Sequence, residues 1–384
     1  MPAANRLGVR RFLIALLAVY AIVMVALAVN YAALWRAGEL RPIDDIIERQ
    51  VRDGAIYNAL SIGFADYKYA FYRHAVLRVV AIGTSRAMQI GQNFFHAPFY
   101  NLGGLTQGPA QANVLADRLL LRGKPPEVVI FALDFWTFCR APTDSGRGRR
   151  SSEFVHDGMG QPPRHFLIYR LIAEGRFTIA DFARLLVSRE SADDVDRIGL
   201  GARLGSSGFA ADGSIHSAAP EQDALEPRWQ GTFARIDGGT DQFIKGCTVS
   251  EPALDALAGF VNRMEAAGSR VVLMLAPLPG AVIERMAAVG QYGYIDTLRN
   301  MLAARYPQRF GDFFDMREQA PDSEFLDGMH GGEVVYMRAI LAMARRPGSG
   351  LRDLVDESGL AKQIQEWSGH AEVPTDPINK RFFR

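Results

Sequence analysis

The chain has 384 residues, enough for one large α/β domain with an insertion. Apolar residues make up 48%, which supplies a core and leaves material for one membrane segment. Lys and Arg number 43 against 42 Asp and Glu, so the basic excess of a nucleic-acid-binding chain is missing and no nucleic-acid partner is expected.

Phe12 to Trp35 carries no charge and follows Arg6, Arg10 and Arg11. A run of this length crosses a bilayer. The basic residues predict a cytoplasmic tail over 1–11, an anchor over 12–35, and everything after Arg36 on the far side of the membrane. Ala26-Leu27-Ala28 has the form of a cleavage site, so a removed signal peptide is the competing reading. The apolar run continues past it to Trp35, which favours the anchor.

A connector follows over 36–76, with a short amphipathic helix expected at Asp44–Val51 and an aromatic-rich stretch at Tyr67–Val76. Arg78–Ile82 is apolar, β-branched and stopped by Gly83, which predicts a buried strand. Ala87–Phe95 is expected to open a helix. Tyr100–Gly104 reads as a short strand ending in a glycine turn. Pro109–Arg122 has helical apolar spacing with Gly123 as its stop. Glu127–Leu133 is a continuous apolar run of the kind found in parallel strands covered on both faces.

The stretch at about 141–249 breaks this rhythm and is read as an insertion. It holds a basic, serine-rich loop (Ser145–Ser152), a helical part near Phe166–Ser188 and a glycine-rich region from Gly199 to Gly213. Alternation then resumes. A helix is predicted at Glu251–Ala267 closed by Gly268, a strand at Arg270–Ala276, mostly helix over Ala281–Tyr306, a strand at Arg309–Phe314 and a helix at Glu333–Ala344. A tail over 346–384 contains an amphipathic stretch near Leu351–Trp367. Alternating strands and helices predict a mostly parallel α/β sheet over 77–345. Cys139 and Cys247 either pair, which export permits, or remain two buried thiols. No Cys/His spacing suited to a metal is present, and no cofactor is expected.

Ser85 follows the first strand in Gly83-Thr84-Ser85-Arg86, and Asp327-x-x-His330 lies in a glycine-flanked loop near the end. A serine hydroxyl becomes a nucleophile when a base takes its proton, and an acid that fixes the imidazole tautomer completes the set. Gly-Thr-Ser after a strand also occurs in ordinary turns and phosphate loops, and Asp-x-x-His also caps helices. The conjunction favours acyl transfer at serine. Of the other histidines, His74 is read as structural and His96, His156, His165, His216 and His370 as loop or tail residues.

These blocks, together with Asn101-Leu102-Gly103-Gly104, resemble the SGNH/GDSL hydrolase superfamily, and more narrowly its membrane-anchored DltD-like and AlgJ/AlgX-like polysaccharide O-acetylation proteins. Gly208-Phe209-x-x-Asp212-Gly213-Ser214 is similar to such members as well. The resemblance implies a three-layer α/β/α, flavodoxin-like fold. It implies Ser85 as nucleophile, His330 as base and Asp327 as its orienter. The backbone N–H groups of Ser85 and of Gly103 or Gly104 become the implied oxyanion hole, with Arg86, Asn101, Asp134 and Trp136 lining the site. It also implies an acylated polysaccharide as substrate, a membrane-bound O-acyltransferase as partner, and a bacterial cytoplasmic membrane with the catalytic body outside. The chain departs from the pattern in two places. Thr84 stands where aspartate is usual, and Leu133-Asp134-Phe135-Trp136 replaces the Gly-x-Asn-Asp block. An ionised Asp134 opposes a developing oxyanion. Arg86 is read as offsetting that charge, as holding an anionic substrate group, or as a surface arginine. Trp136 and Trp229 either stack on sugars or fill core.

Overall fold

The computed structural model describes residues 3–61, 63–121, 123–142, 164–187, 197–205, 207–217 and 225–373; the Ser145–Ser152 loop lies outside them. The chain divides into two compact units, Met1–Phe64 with His156–Gly208, and Ala65–Val155 with Phe209–Arg384. The expected insertion at about 141–249 is therefore shared between them.

In the first unit, one helix runs from Ala3 to Ala37, and it is long and apolar enough to cross a membrane. Its large side chains from Phe12 to Val25 are exposed. Ile56–Tyr57 pairs in parallel with Arg197–Ile198. The buried Glu39 carboxylate gathers the N–H groups of Leu60, Ser61 and Leu200 at 3.0, 2.8 and 2.6 Å. Three charge-assisted hydrogen bonds offset the cost of burying that acid.

The second unit is built on a sheet of five parallel strands: β1 (Val79–Gly83), β2 (Phe99–Asn101), β3 (Val128–Leu133), β4 (Arg270–Leu275) and β5 (Phe310–Asp312). Their order is β2-β1-β3-β4-β5, with Val80 opposite Val129 and Ile130 opposite Val272. Every residue of β3 is buried because helices lie on both faces. Alternate residues Val79, Ala81, Val128, Ile130, Val272 and Met274 share a core with the helix Glu333–Ala344. The other alternation meets the helix Glu251–Ala266, where the rings of Phe131 and Phe260 pack edge to face at 5.3 Å. That helix lies against Pro109–Leu120. Its start is fixed by Ser250, whose hydroxyl accepts the Ala253 N–H at 3.4 Å.

One local expectation changes and two become more detailed. Ala87–Phe95 forms two 3-10 turns, Ser85–Gln89 and Gln92–Phe94, and no α-helix. Ala281–Tyr306 is two helices, Gly280–Val289 and Tyr294–Arg305, parted where Gly290 and Gln291 both take positive φ. The tail helix is Glu357–Glu366, started by the Asp356 carboxylate accepting the Gly359 N–H at 2.9 Å. Cys139 and Cys247 are joined in a disulfide with Cα atoms 5.3 Å apart, between the antiparallel strands Cys139–Arg140 and Thr248–Val249.

Candidate active site

The site lies at the carboxyl ends of the parallel strands, where such sheets place ligands. Gly83 closes β1 with φ 148°, and a Cβ there would stand 2.7 Å from the Ala132 carbonyl oxygen. Only glycine lets β1 approach β3 so closely. Thr84 then caps the 3-10 turn. Thr84, Arg86 and Ala87 are buried, whereas Ser85 between them is exposed. The turn thus presents one hydroxyl to solvent from a rigid base.

The partner loop is fastened separately. Phe325 bridges Gly331, and the Leu326 N–H donates to the His330 carbonyl at 2.9 Å. Below it, buried Glu324 holds both arms of Arg338 at 2.9 and 2.7 Å and accepts the Gly369 N–H at 3.0 Å. Gly328 is packed on Thr232 so tightly that a Cβ would lie 2.4 Å from the Thr232 hydroxyl oxygen.

The two loops bring Ser85 Oγ to 2.9 Å from His330 Nε2. His330 Nδ1 lies 2.9 and 3.0 Å from the two Asp327 carboxylate oxygens. A carboxylate only accepts, so Nδ1 carries the proton and Nε2 is left to accept from the serine hydroxyl. Asp327 Oδ1 also accepts the N–H groups of Met329 and His330 at 2.7 and 2.8 Å. Partial burial pushes the Asp327 carboxyl up, but the hydrogen bonds and charge of His330 and the two N–H groups outweigh it and hold the acid at about 2. Asp327 is ionised wherever the protein is folded near neutral pH.

Comparison with family models, curated proteins and solved structures finds no match. What the arrangement does chemically therefore rests on its own atoms. Ser85, His330 and Asp327, three residues singled out in the sequence, form one continuous relay.

The other sequence-predicted residues fare differently. Arg86 is neither a surface arginine nor open to substrate, since it is among the largest fully buried side chains. Its Nη1 donates to Asp134 Oδ1 at 2.7 Å and its Nη2 to the Pro277 carbonyl. Thr84 donates to Asp134 Oδ2 at 2.6 Å. The guanidinium thereby ties together the chain segments that leave β1, β3 and β4. Burial pushes the Asp134 carboxyl up, against the pull of Arg86, Thr84 and His330. Trp136, half-buried, lies with its ring 5.3 Å from the Arg86 guanidinium. Trp229 is buried and offers no face for a sugar.

The oxyanion expectation is corrected in part. The Gly103 N–H donates to Asn101 Oδ1 at 2.7 Å, and the Gly104 N–H donates to the carbonyls of Gly83 and Thr84 at 2.9 and 3.1 Å. Both are committed inside the fold. Asn101 is wholly buried and braces the serine turn, its amide donating to Ala87 and Ile90 carbonyls at 2.8 and 2.7 Å. The Ser85 N–H is the remaining donor of the three. It opens the 3-10 turn, where helical N–H groups lack an intrahelical acceptor.

Two residues outside the predicted set shape this region. Buried Lys68 donates to the Gly103 carbonyl at 2.8 Å and sits 4.6 Å from the Phe209 ring centre. Burial, partly countered by the Asp212 charge, pushes its amine down to about 7. Asp212 accepts the Gln92 N–H at 2.6 Å and the Ser214 hydroxyl at 2.5 Å, while its carbonyl accepts the Asn101 N–H at 2.7 Å. A lone lysine in an aromatic stretch gave no signal for Lys68. Asp212 was visible only as part of a resemblance. His216, read as a loop residue, lies on the strand Ile215–Ser217, 3.3 Å from the Ser214 hydroxyl. Among the described residues, no cluster of His, Cys, Asp and Glu is suited to hold a metal ion.

Proposed function

We propose that this chain is an SGNH-type serine enzyme that moves an acyl group, acetyl by preference, on a cell-wall or exported polysaccharide. The observation that carries the reading is the relay Ser85–His330–Asp327, with its exposed serine at the end of β1. The strand order β2-β1-β3-β4-β5 is that of flavodoxin-like doubly wound sheets and supports the three-layer assignment.

In this reading Ser85 Oγ attacks the acyl carbonyl while its proton passes to His330 Nε2. Asp327 holds the resulting imidazolium, and the Ser85 N–H faces the developing oxyanion. The donor's alkoxide leaves with that proton, so the acyl-enzyme forms with His330 neutral again. A sugar hydroxyl then gives its proton to His330 and takes the acyl group, which restores Ser85. Arg86 neutralises Asp134, so the floor of the site does not oppose the oxyanion with an unbalanced charge. The N-terminal helix anchors the chain, with the arginines on the cytoplasmic side and the catalytic unit outside. A membrane-bound O-acyltransferase is the partner that would load Ser85.

Hydrolysis of a small ester, or a noncatalytic carbohydrate-binding role within an acylation complex, is the second reading. The observation in its favour is that Gly103 and Gly104 keep their N–H groups inside the fold, leaving fewer oxyanion donors. The experiment is to give the detergent-solubilised full chain an activated acetyl ester, with and without a panel of oligosaccharides, and to analyse protein and sugars by mass spectrometry. Acetyl on Ser85 and on a sugar supports transfer. Free acetate alone supports the esterase, and no acyl-enzyme at all supports the noncatalytic role.

A further inference from the structure

The first unit carries apolar surface beyond its long N-terminal helix. In the helix Ile179–Val187, residues at every fourth position share a side, which sets Ile179, Ala183 and Val187 in one stripe with Ala180 beside them. Ile179 is 72% exposed and Val187 83%, and no residue of this helix is fully buried. The same helix presents Phe182 and Leu185 to the core that contains Ala33, Leu34 and Ala37 of the N-terminal helix. Arg36 Nη1 donates to the Leu185 and Leu186 carbonyls at 3.3 and 2.6 Å. A short helix that is apolar on the side facing its neighbour, and apolar again on an uncovered side, is poorly suited to water.

The adjoining helix Leu167–Ala173 fixes the level of this pair along the N-terminal helix. Its Tyr169 hydroxyl donates to the Ala26 carbonyl at 2.7 Å, and Asn30 Oδ1 accepts the Ile168 N–H at 3.2 Å. Tyr31 and His165 are joined at 2.7 Å. A hydrocarbon core of about 30 Å takes roughly 20 helical residues. Counted from Phe12, the first residue of the charge-free run, that core ends near Tyr31. Ala26 lies about 7.5 Å to the membrane side of that level at 1.5 Å per residue. Tilt of the helix would carry more of it into the core.

We propose that the helix pair Leu167–Ala173 and Ile179–Val187 is seated at the outer membrane–water interface, with Ile179, Ala183, Val187 and Phe166 at the boundary between headgroups and acyl chains. Phe166, 51% exposed, precedes the first helix of the pair. The pair packs on the outer part of the same N-terminal helix whose large side chains from Phe12 to Val25 are apolar and exposed, which is why lipid, and no separate protein, is assigned as its occupant. Arg184 pairs with Asp181 at 3.2 Å on the polar sector and has the length to reach the headgroups. The anchor is then a spanning helix with a wedge at its outer end, which sets its depth in the membrane. This inference rests on the proposed anchor.

The test uses the full chain in vesicles of phosphatidylcholine and phosphatidylglycerol. A nitroxide is placed by Val187→Cys, Ala183→Cys, Leu17→Cys within the span, or Glu366→Cys as an exposed control. The two native cysteines are bonded to each other and do not take the label. Collisions with oxygen, which partitions into lipid, are compared with collisions with a water-soluble nickel chelate. The expected result is that labels at 183 and 187 lose most of the nickel collisions seen at 366, though fewer than the label at 17 loses, and keep oxygen collisions. A label at 187 as open to nickel as that at 366, with 17 protected, overturns the wedge and leaves the anchor standing. A label at 17 open to nickel overturns the anchor and the wedge with it. Loss of collisions with both probes at 187 identifies a protein cover and overturns the lipid assignment.

Discussion

Replacing Arg86 with methionine tests whether the buried ion pair is the foundation of the serine turn. The change removes the guanidinium that meets Asp134 Oδ1 at 2.7 Å and the Pro277 carbonyl, while keeping similar apolar bulk. Both side chains of the pair are essentially buried, at 2% and 1% exposure, so Asp134 is left as an unpaired acid in a dry site. Breaking such a pair costs about 3–5 kcal/mol, a large part of the roughly 5–15 kcal/mol that holds a domain folded. Thr84 still donates to Asp134, which places the expected cost at the lower end, near 3 kcal/mol. The double variant Arg86→Met/Asp134→Leu removes both charges, and its stability is expected to return to within about 1–2 kcal/mol of wild type. The assay is urea unfolding of the solubilised full chain followed by tryptophan fluorescence, with an unchanged slope as the check that the same transition is compared. The pH dependence adds a sign. Burial already raises Asp134, and loss of Arg86 removes the foremost influence opposing it. A group whose folded pKa is raised stabilises fully below its unfolded value and loses that contribution as pH rises through the folded value. The deficit of Arg86→Met should therefore shrink as pH is lowered from 8 to 5. A cost below about 1 kcal/mol, or a deficit that grows at low pH, would refute the reasoning.

Ser85→Ala should abolish labelling by a serine-reactive phosphonate; His330→Ala should slow it by roughly 10⁶ and Asp327→Asn by roughly 10⁴, and retained labelling in Ser85→Ala would remove the serine from its proposed role. Lys68 is pushed down to about 7, so between that value and the unfolded ~10.4 the unfolded chain binds more protons and wild type gains stability with rising pH. Lys68→Met lacks this slope, and a stability difference between the two that stays flat from pH 7 to 9 would count against it. Cys139 and Cys247 close a loop across 108 positions, and replacing both with serine should lower stability by about 2–4 kcal/mol in the same urea assay. An unchanged midpoint would mean that the bridge constrains nothing in the unfolded chain.

Much of the sheet was legible because its signal is local. Val79–Gly83, Val128–Leu133 and residues 271–275 are unbroken apolar runs, and a run buried on both faces announces itself by composition alone. The nucleophile, base and acid were legible for a related reason: each sits in a short segment whose glycines mark a special turn. Ala87–Phe95 misled because its apolar content satisfies either helix or tight turn, and the choice fell to Asn101 and Asp212, which capture two of its carbonyls and the Gln92 N–H from other parts of the chain.

The sequence by itself determined which residues can react and which stretch can enter a membrane, since hydroxyl, imidazole, carboxylate and hydrocarbon are properties of side chains. Tertiary structure decided where those properties are available. Arg86 became a buried tie because three strand ends converge on it. Gly103 and Gly104 turned their N–H groups inward because Asn101 and the Gly83–Thr84 carbonyls lie within reach. Lys68 acquired its depressed pKa because the fold surrounds it with Phe209 and the backbone of Gly103. Burial and hydrogen-bond partnership are pairwise facts between residues far apart in the chain, and no single segment contains them.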